Sequence, residues 1–111
     1  MRIVRNAVPV PPPTRFGWPR LCRLPRAVVE DTPGAEWEDF VEDGLGQAHG
    51  VCVEIEGGWV LGIVRYVEAS EPYEVYALAD EADLPAVLRS LLAATGLAEA
   101  DLPWVEPAAL L

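Results

Sequence analysis

The chain contains no lysine, one histidine (His49), one asparagine, one glutamine, two serines and three threonines. Hydrolases and transferases draw their nucleophiles, bases and oxyanion donors mainly from these residue types, so the composition argues against an enzyme and leaves carboxylates and tyrosines as its acid–base groups. Cysteine is equally scarce. Cys22 and Cys52 are too few for a disulfide framework, and a reducing, cytoplasmic setting is expected. Long apolar runs are missing: WVLGIV at 59–64 falls far short of the roughly 18 residues that read as a membrane span, so no membrane is expected. The opening MRIVRNAVPVPPP carries arginines with no apolar stretch behind them, so no secretory signal is expected either.

What is present is apolar content and negative charge. With 111 residues and 51% hydrophobic side chains, the chain suits one packed domain. The net charge is −10, and its signs are separated along the sequence. Residues 1–26 hold six of the eight arginines, six of the eleven prolines and no acid. Residues 27–111 hold all 18 acids and only Arg65 and Arg89. This asymmetry divides the chain into a basic proline-rich arm, 1–26, and an acidic domain, 27–111. The prolines at 9 and 11–13 make that stretch extended. Phe16 and Trp18 need an apolar surface, and the arm lying along its own acidic body meets that need.

The pattern predicts an α+β fold. RAVVED at 26–31 reads as a strand. Thr32 and Pro33 form a helix start, a hydroxyl cap followed by proline, and the helix runs over about 33–43 to Gly44. VCVEIEGGWVLGIVRYVE at 51–68 reads as two strands joined by a two-residue turn at Gly57-Gly58. PYEVYALA at 72–79 adds a third strand, completing a meander over 51–79 that MRIVR and other N-terminal residues extend. Asp83 caps a second helix over 84–95. Its apolar residues Leu84, Val87, Leu88, Leu91 and Leu92 share one face, and Gly96 ends it. EADLP occurs at 81–85 and again at 99–103; the second copy reads as a single turn before the apolar tail PAALL.

The candidate site residues come from two places. EWEDFVED at 36–43 supplies Glu36, Glu38, Asp39, Glu42 and Asp43 around Trp37, Phe40 and Val41. As a helix it carries like-charge pairs Glu38/Glu42 and Asp39/Asp43, each costing roughly 0.2–0.5 kcal/mol, so it is not arranged for its own stability. In the hairpin, a two-residue turn pairs Ile55 with Val60 and Val51 with Val64. Trp59, Leu61 and Ile63 then fall on the face opposite the core, as an apolar stripe beside Glu54 and Glu56. Antiparallel sheets commonly keep one face wet, so the stripe implies a cover: the arm, a second copy or a foreign partner.

Two further motifs carry less. GLGQAHG at 44–50 is glycine-rich but has no phosphate-loop lysine. Cys22, His49 and Cys52 match no zinc spacing, and no metal or cofactor is expected. His49, Cys52 and Tyr66 form the one place where a ligand pocket is conceivable.

Together these features favour a non-enzymatic, acidic protein-binding protein. The profile resembles that of small intracellular inhibitors, namely immunity proteins, antitoxins and phage anti-defence proteins, which present carboxylates to a basic or nucleic-acid-binding target. That resemblance implies a stoichiometric inhibitor with a basic protein partner, bound through Glu36, Glu38, Asp39, Glu42, Asp43, Glu54 and Glu56 and anchored by Trp37, Trp59, Leu61 and Ile63. Direct nucleic-acid binding is disfavoured because the acidic body repels phosphate. The alternatives are an adaptor, chaperone or structural homo-oligomer, a homodimer through the stripe included, and a small enzyme or ligand-binding domain.

Overall fold

A computed structural model describes residues 1–7, 18–42, 44, 46–67, 72–78 and 82–111, with Glu42 described by its backbone alone. Its centre is an antiparallel sheet of seven strands: β1 (Arg5–Asn6), β2 (Arg20–Leu24), β3 (Glu38–Glu42), β4 (Gly46–Glu54), β5 (Val60–Tyr66), β6 (Tyr73–Ala77) and β7 (Trp104–Val105). Their order is β1-β4-β5-β6-β2-β7, and β3 lies beside β1 against the same edge of β4. The fold is α+β as expected, with a wider sheet than the 51–79 meander. Strands β1, β2, β3 and β7 extend it, and β2 comes from the segment read as the arm. Leu21, Cys22 and Leu24 of that strand are fully buried. The proline run lies outside the described residues, as does Phe16. Trp18 packs beside Val64 and Tyr76 on the sheet.

Helix α2 (Leu84–Thr95) forms as its sequence dictates. The Asp83 carboxylate accepts from the Ala86 N–H at 3.2 Å, Pro85 occupies the first turn where no donor is needed, and Gly96 closes the helix at φ 74°. Its apolar face lays Val87, Leu88, Leu91 and Ala94 onto one side of the sheet. The second EADLP copy is a 3-10 turn at Glu99–Asp101. The tail makes another at Pro107–Leu110, with Ala109 buried in the core.

Two local expectations are overturned. Residues 26–31 do not form a strand: Arg26–Glu30 is a short helix, α1, beginning after Pro25 and braced by an Arg26–Glu30 ion pair at 2.9 Å. The helical turn points Val29 into the core. Residues 33–43 do not form a helix. The Thr32 hydroxyl donates backward to the Val29 carbonyl instead of capping a downstream helix, Gly34 turns the chain at φ 84°, and Glu38–Glu42 is strand β3. Gly44, read as a helix stop, supplies the positive φ (80°) of the β3–β4 turn. As a strand, the segment avoids stacking its acids at helical i, i+4 positions and gains a full ladder with Gly46–Gly50.

The hairpin register also differs. Ile55 donates its N–H to the Trp59 carbonyl, so the loop is Glu56–Gly57–Gly58, one residue longer than a two-residue turn. Val53 therefore opposes Leu61, and Val51 opposes Ile63. A one-residue slip moves a strand's side chains to the other face. Leu61 and Ile63 accordingly join Val51, Val53 and Ile55 under the helices, 0% and 1% exposed.

Candidate functional site

The hydrogen bonds of β4 determine what β3 shows to its surroundings. Ile55 N–H to Trp59 O and Val67 N–H to Gln47 O mark the odd-numbered residues of β4 as those whose peptide groups point to β5. The even-numbered residues turn theirs to the opposite edge, where Ala7 N–H reaches Cys52 O and Val4 N–H reaches Glu54 O. Glu38, Phe40 and Glu42, opposite Gly50, Ala48 and Gly46, share that ladder. Asp39 and Val41 then direct their own N–H and C=O groups away from the sheet. No other described strand pairs with this side of β3. The Val41 side chain is 71% exposed.

On the helix-bearing face, a connected cluster leads from this edge inward. Asp39 lies opposite His49, and its Oδ1 sits 2.7 Å from His49 Nδ1. The His49 ring stacks on Trp37 with centroids 4.7 Å apart and planes 9° apart. Trp37 in turn meets Tyr73 at 5.6 Å. Tyr73 is fully buried, donates its hydroxyl to Glu30 Oε2 at 3.1 Å and lies under the Arg65 guanidinium. Burial pushes the Tyr73 phenol above its ordinary range. The Arg26 guanidinium, hydrogen-bonded to Glu30, holds that carboxyl below the usual range.

The carboxylates divide into two groups. The first is neutralised inside the fold by arginines from the N-terminal quarter: Arg5 with Glu54 (3.7 Å), Arg20 and Arg23 with Glu74 (3.6 and 2.8 Å), and Arg26 with Glu30 (2.9 Å). Arg20 also lies over the Trp104 ring at 4.2 Å. The second group has no such partner. Among the described residues Asp31, Glu36, Glu38, Glu56, Asp83, Glu99 and Asp101 form no ion pair and all are exposed; of these, Glu36 and Glu38 lie at the edge of the sheet. The Asp39 side chain is 84% exposed despite its histidine contact.

The expected site residues thus separate. Glu38 and Asp39 are neighbours on β3 but project from opposite faces of the sheet. Asp39 lies beside half-buried Trp37 and His49, and Glu38 on the face of Phe40, while Glu36 lies just before the strand. Asp43 lies outside the described residues, and nothing is stated of the Glu42 side chain. Glu54 is internally paired, so it does not stand with the free acids. Glu56 sits in the β4–β5 turn, beside a shallow groove of about 140 Å³ lined by Arg2, Ile3, Val4 and Ala94. Trp59 packs against the core from the same turn. Leu61 and Ile63 are buried, so the apolar stripe is not a surface and provides no self-interface.

The Cys22–His49–Cys52 grouping fails for a related reason. Positions 49 and 52 are three apart in a strand and face opposite sides of the sheet. Tyr66, opposite Ala48, shares the Cys52 face, so His49, Cys52 and Tyr66 do not converge. Neither cysteine is in a disulfide, and burial pushes the Cys22 thiol up to about 12. Among the described residues no three His, Cys, Asp or Glu side chains group as metal ligands. No described helix is long and apolar enough to cross a membrane.

No family model, no curated protein and no solved structure matches this chain.

Sequence reasoning found the acidic stretch but missed Glu30, Tyr73 and Arg65 as neighbours of Trp37 and His49. Those contacts join residues as far as 43 positions apart, and no local pattern announces them.

Proposed function

We propose that this chain is a non-enzymatic protein-binding protein that engages a basic protein partner through its acidic sheet edge, acting as a stoichiometric inhibitor of a basic or nucleic-acid-binding target. One observation carries the reading. The fold satisfies Glu30, Glu54 and Glu74 with its own arginines, yet among the described residues it leaves Glu36 and Glu38 exposed and without a cation beside a strand edge. Unpaired like charges on one surface repel each other and contribute nothing to folding, whereas they accelerate and orient the approach of a cationic macromolecule. Trp37, half-buried between Glu36 and Glu38 in sequence and on the same face as Asp39, is the aromatic anchor of the edge. Only two cysteines, neither in a disulfide, fit a reducing cytoplasm as its place of action.

The test is co-purification under native conditions, followed by titration of the isolated partner at rising salt. A pair whose affinity falls with salt, and falls again in the Glu36→Lys/Glu38→Lys variant, supports the proposal. An association indifferent to both overturns it.

A further inference from the structure

We infer that the outer edge of β3 receives a basic, extended segment of the partner as an added β-strand; this rests on the reading above that the acidic edge is the recognition surface. Exposed sheet edges are ordinarily protected by charged side chains, lysine above all, by proline, by a bulge or by extreme shortness, and the acids of β3 protect it only against strands that carry no positive charge to meet them. Strand β3 has five residues, Glu-Asp-Phe-Val-Glu, with neither lysine nor proline, and it pairs with β4 without a register shift. The N–H and C=O groups of Asp39 and Val41 point outward, which offers an incoming strand four main-chain hydrogen bonds. Val41, 71% exposed, supplies a β-branched side chain for cross-strand contact.

Charge selects the occupant. The side chains directly opposite on an added strand lie about 4.5–5.5 Å away between Cβ atoms, close enough for arginine or lysine to meet the Asp39 carboxylate. A second copy of this chain would instead bring acids against acids, and a phosphate backbone would be repelled. Main-chain bonding supplies the affinity, while the carboxylates repel acidic strands and favour basic over neutral ones.

The probe is a heptapeptide of alternating lysine and valine, titrated calorimetrically into the full chain at low and high salt. Its counterpart is the same peptide N-methylated at its central residues, which keeps every charge and removes the main-chain donors. We expect the unmodified peptide to bind, and N-methylation to weaken it at least about tenfold. Val41→Pro should weaken the unmodified peptide similarly. It deletes one outward N–H, keeps every carboxylate and leaves the β3–β4 ladder untouched; thermal unfolding reports that it remains folded.

Equal binding of the two peptides overturns strand addition while leaving the acidic surface intact. Loss of binding in Glu36→Lys/Glu38→Lys with no effect of N-methylation overturns it in the same way. Failure of the unmodified peptide to bind at low salt also overturns strand addition, and the co-purified partner then tests the acidic surface separately. A concentration-dependent dimer that Val41→Pro abolishes would make a second copy the occupant and overturn the assignment to a basic segment.

Discussion

His49 is held by Asp39, its Nδ1 2.7 Å from the Asp39 Oδ1, while its ring lies flat on Trp37. The three meet because the β3–β4 ladder sets position 39 opposite position 49, and Trp37 enters the strand from the same side. Stacked ring pairs of this kind contribute about 0.5–1.5 kcal/mol beyond area burial. A double-mutant cycle with Trp37→Leu and His49→Ala, followed by urea unfolding, is therefore expected to show a coupling of that size. Additive effects would mean that the stack contributes nothing to stability.

The register of the β4–β5 hairpin makes a directional prediction. Leu61 is fully buried whereas Val60, on the other face, is half-exposed. Leu61→Ala should cost about 2–5 kcal/mol, and Val60→Ala no more than about 1 kcal/mol. The opposite ranking would restore a two-residue turn at Gly57-Gly58.

Gly50 is closely hemmed in by its neighbours in the sheet. A methyl group there would stand 2.9 Å from the Ile63 carbonyl oxygen and 3.2 Å from the Phe40 ring. The obstruction includes backbone, which cannot swing aside. Gly50→Ala should destabilise the fold by about 1–3 kcal/mol, measured by chemical denaturation. It would also loosen β3, whose Phe40 packs across this glycine.

Stability should fall in alkali. The Cys22 thiol ionises near 9.0 when the chain is unfolded but stays protonated to about 12 when folded. Between those values the unfolded state releases a proton that the folded state keeps, so unfolding becomes easier as pH rises. Tyr73, whose phenol is also raised, acts in the same direction above its ordinary 10.0. Denaturation midpoints measured from pH 8 upward should decline, and Cys22→Val should flatten the first part of that decline. Glu30 acts at the acid end: its carboxyl is lowered, so its contribution is present above its ordinary 4.5 and disappears as pH falls.

Much of the fold could be read from single segments. Helix α2 was legible because its cap, its apolar spacing and its terminating glycine agree within fourteen consecutive residues, 83–96. Strand β6 was legible through its density of β-formers. The acidic edge was legible as composition but not as geometry. Trp37, Phe40 and Val41 satisfy a helical face at i, i+3, i+4 as well as they populate a strand, and Gly44 ends a helix by the same positive φ with which it turns a hairpin. Arg26–Glu30 failed in the reverse sense, since its valines suggest a strand while proline ahead of it and an i, i+4 ion pair favour a turn of helix.

The amino-acid sequence by itself determined the α+β class, the placement of α2 and the excess of carboxylates, because caps, spacing and charge are properties of neighbouring residues. Tertiary structure alone decided that 38–42 is a strand, that Leu61 and Ile63 are core, and that Glu54 and Glu74 find arginines while Glu36 and Glu38 find none among the described residues. The physical reason is common to all three. Pairing is a relation between two segments that neither segment's own pattern states, and a register change of a single residue reverses which side chains meet the core and which meet solvent.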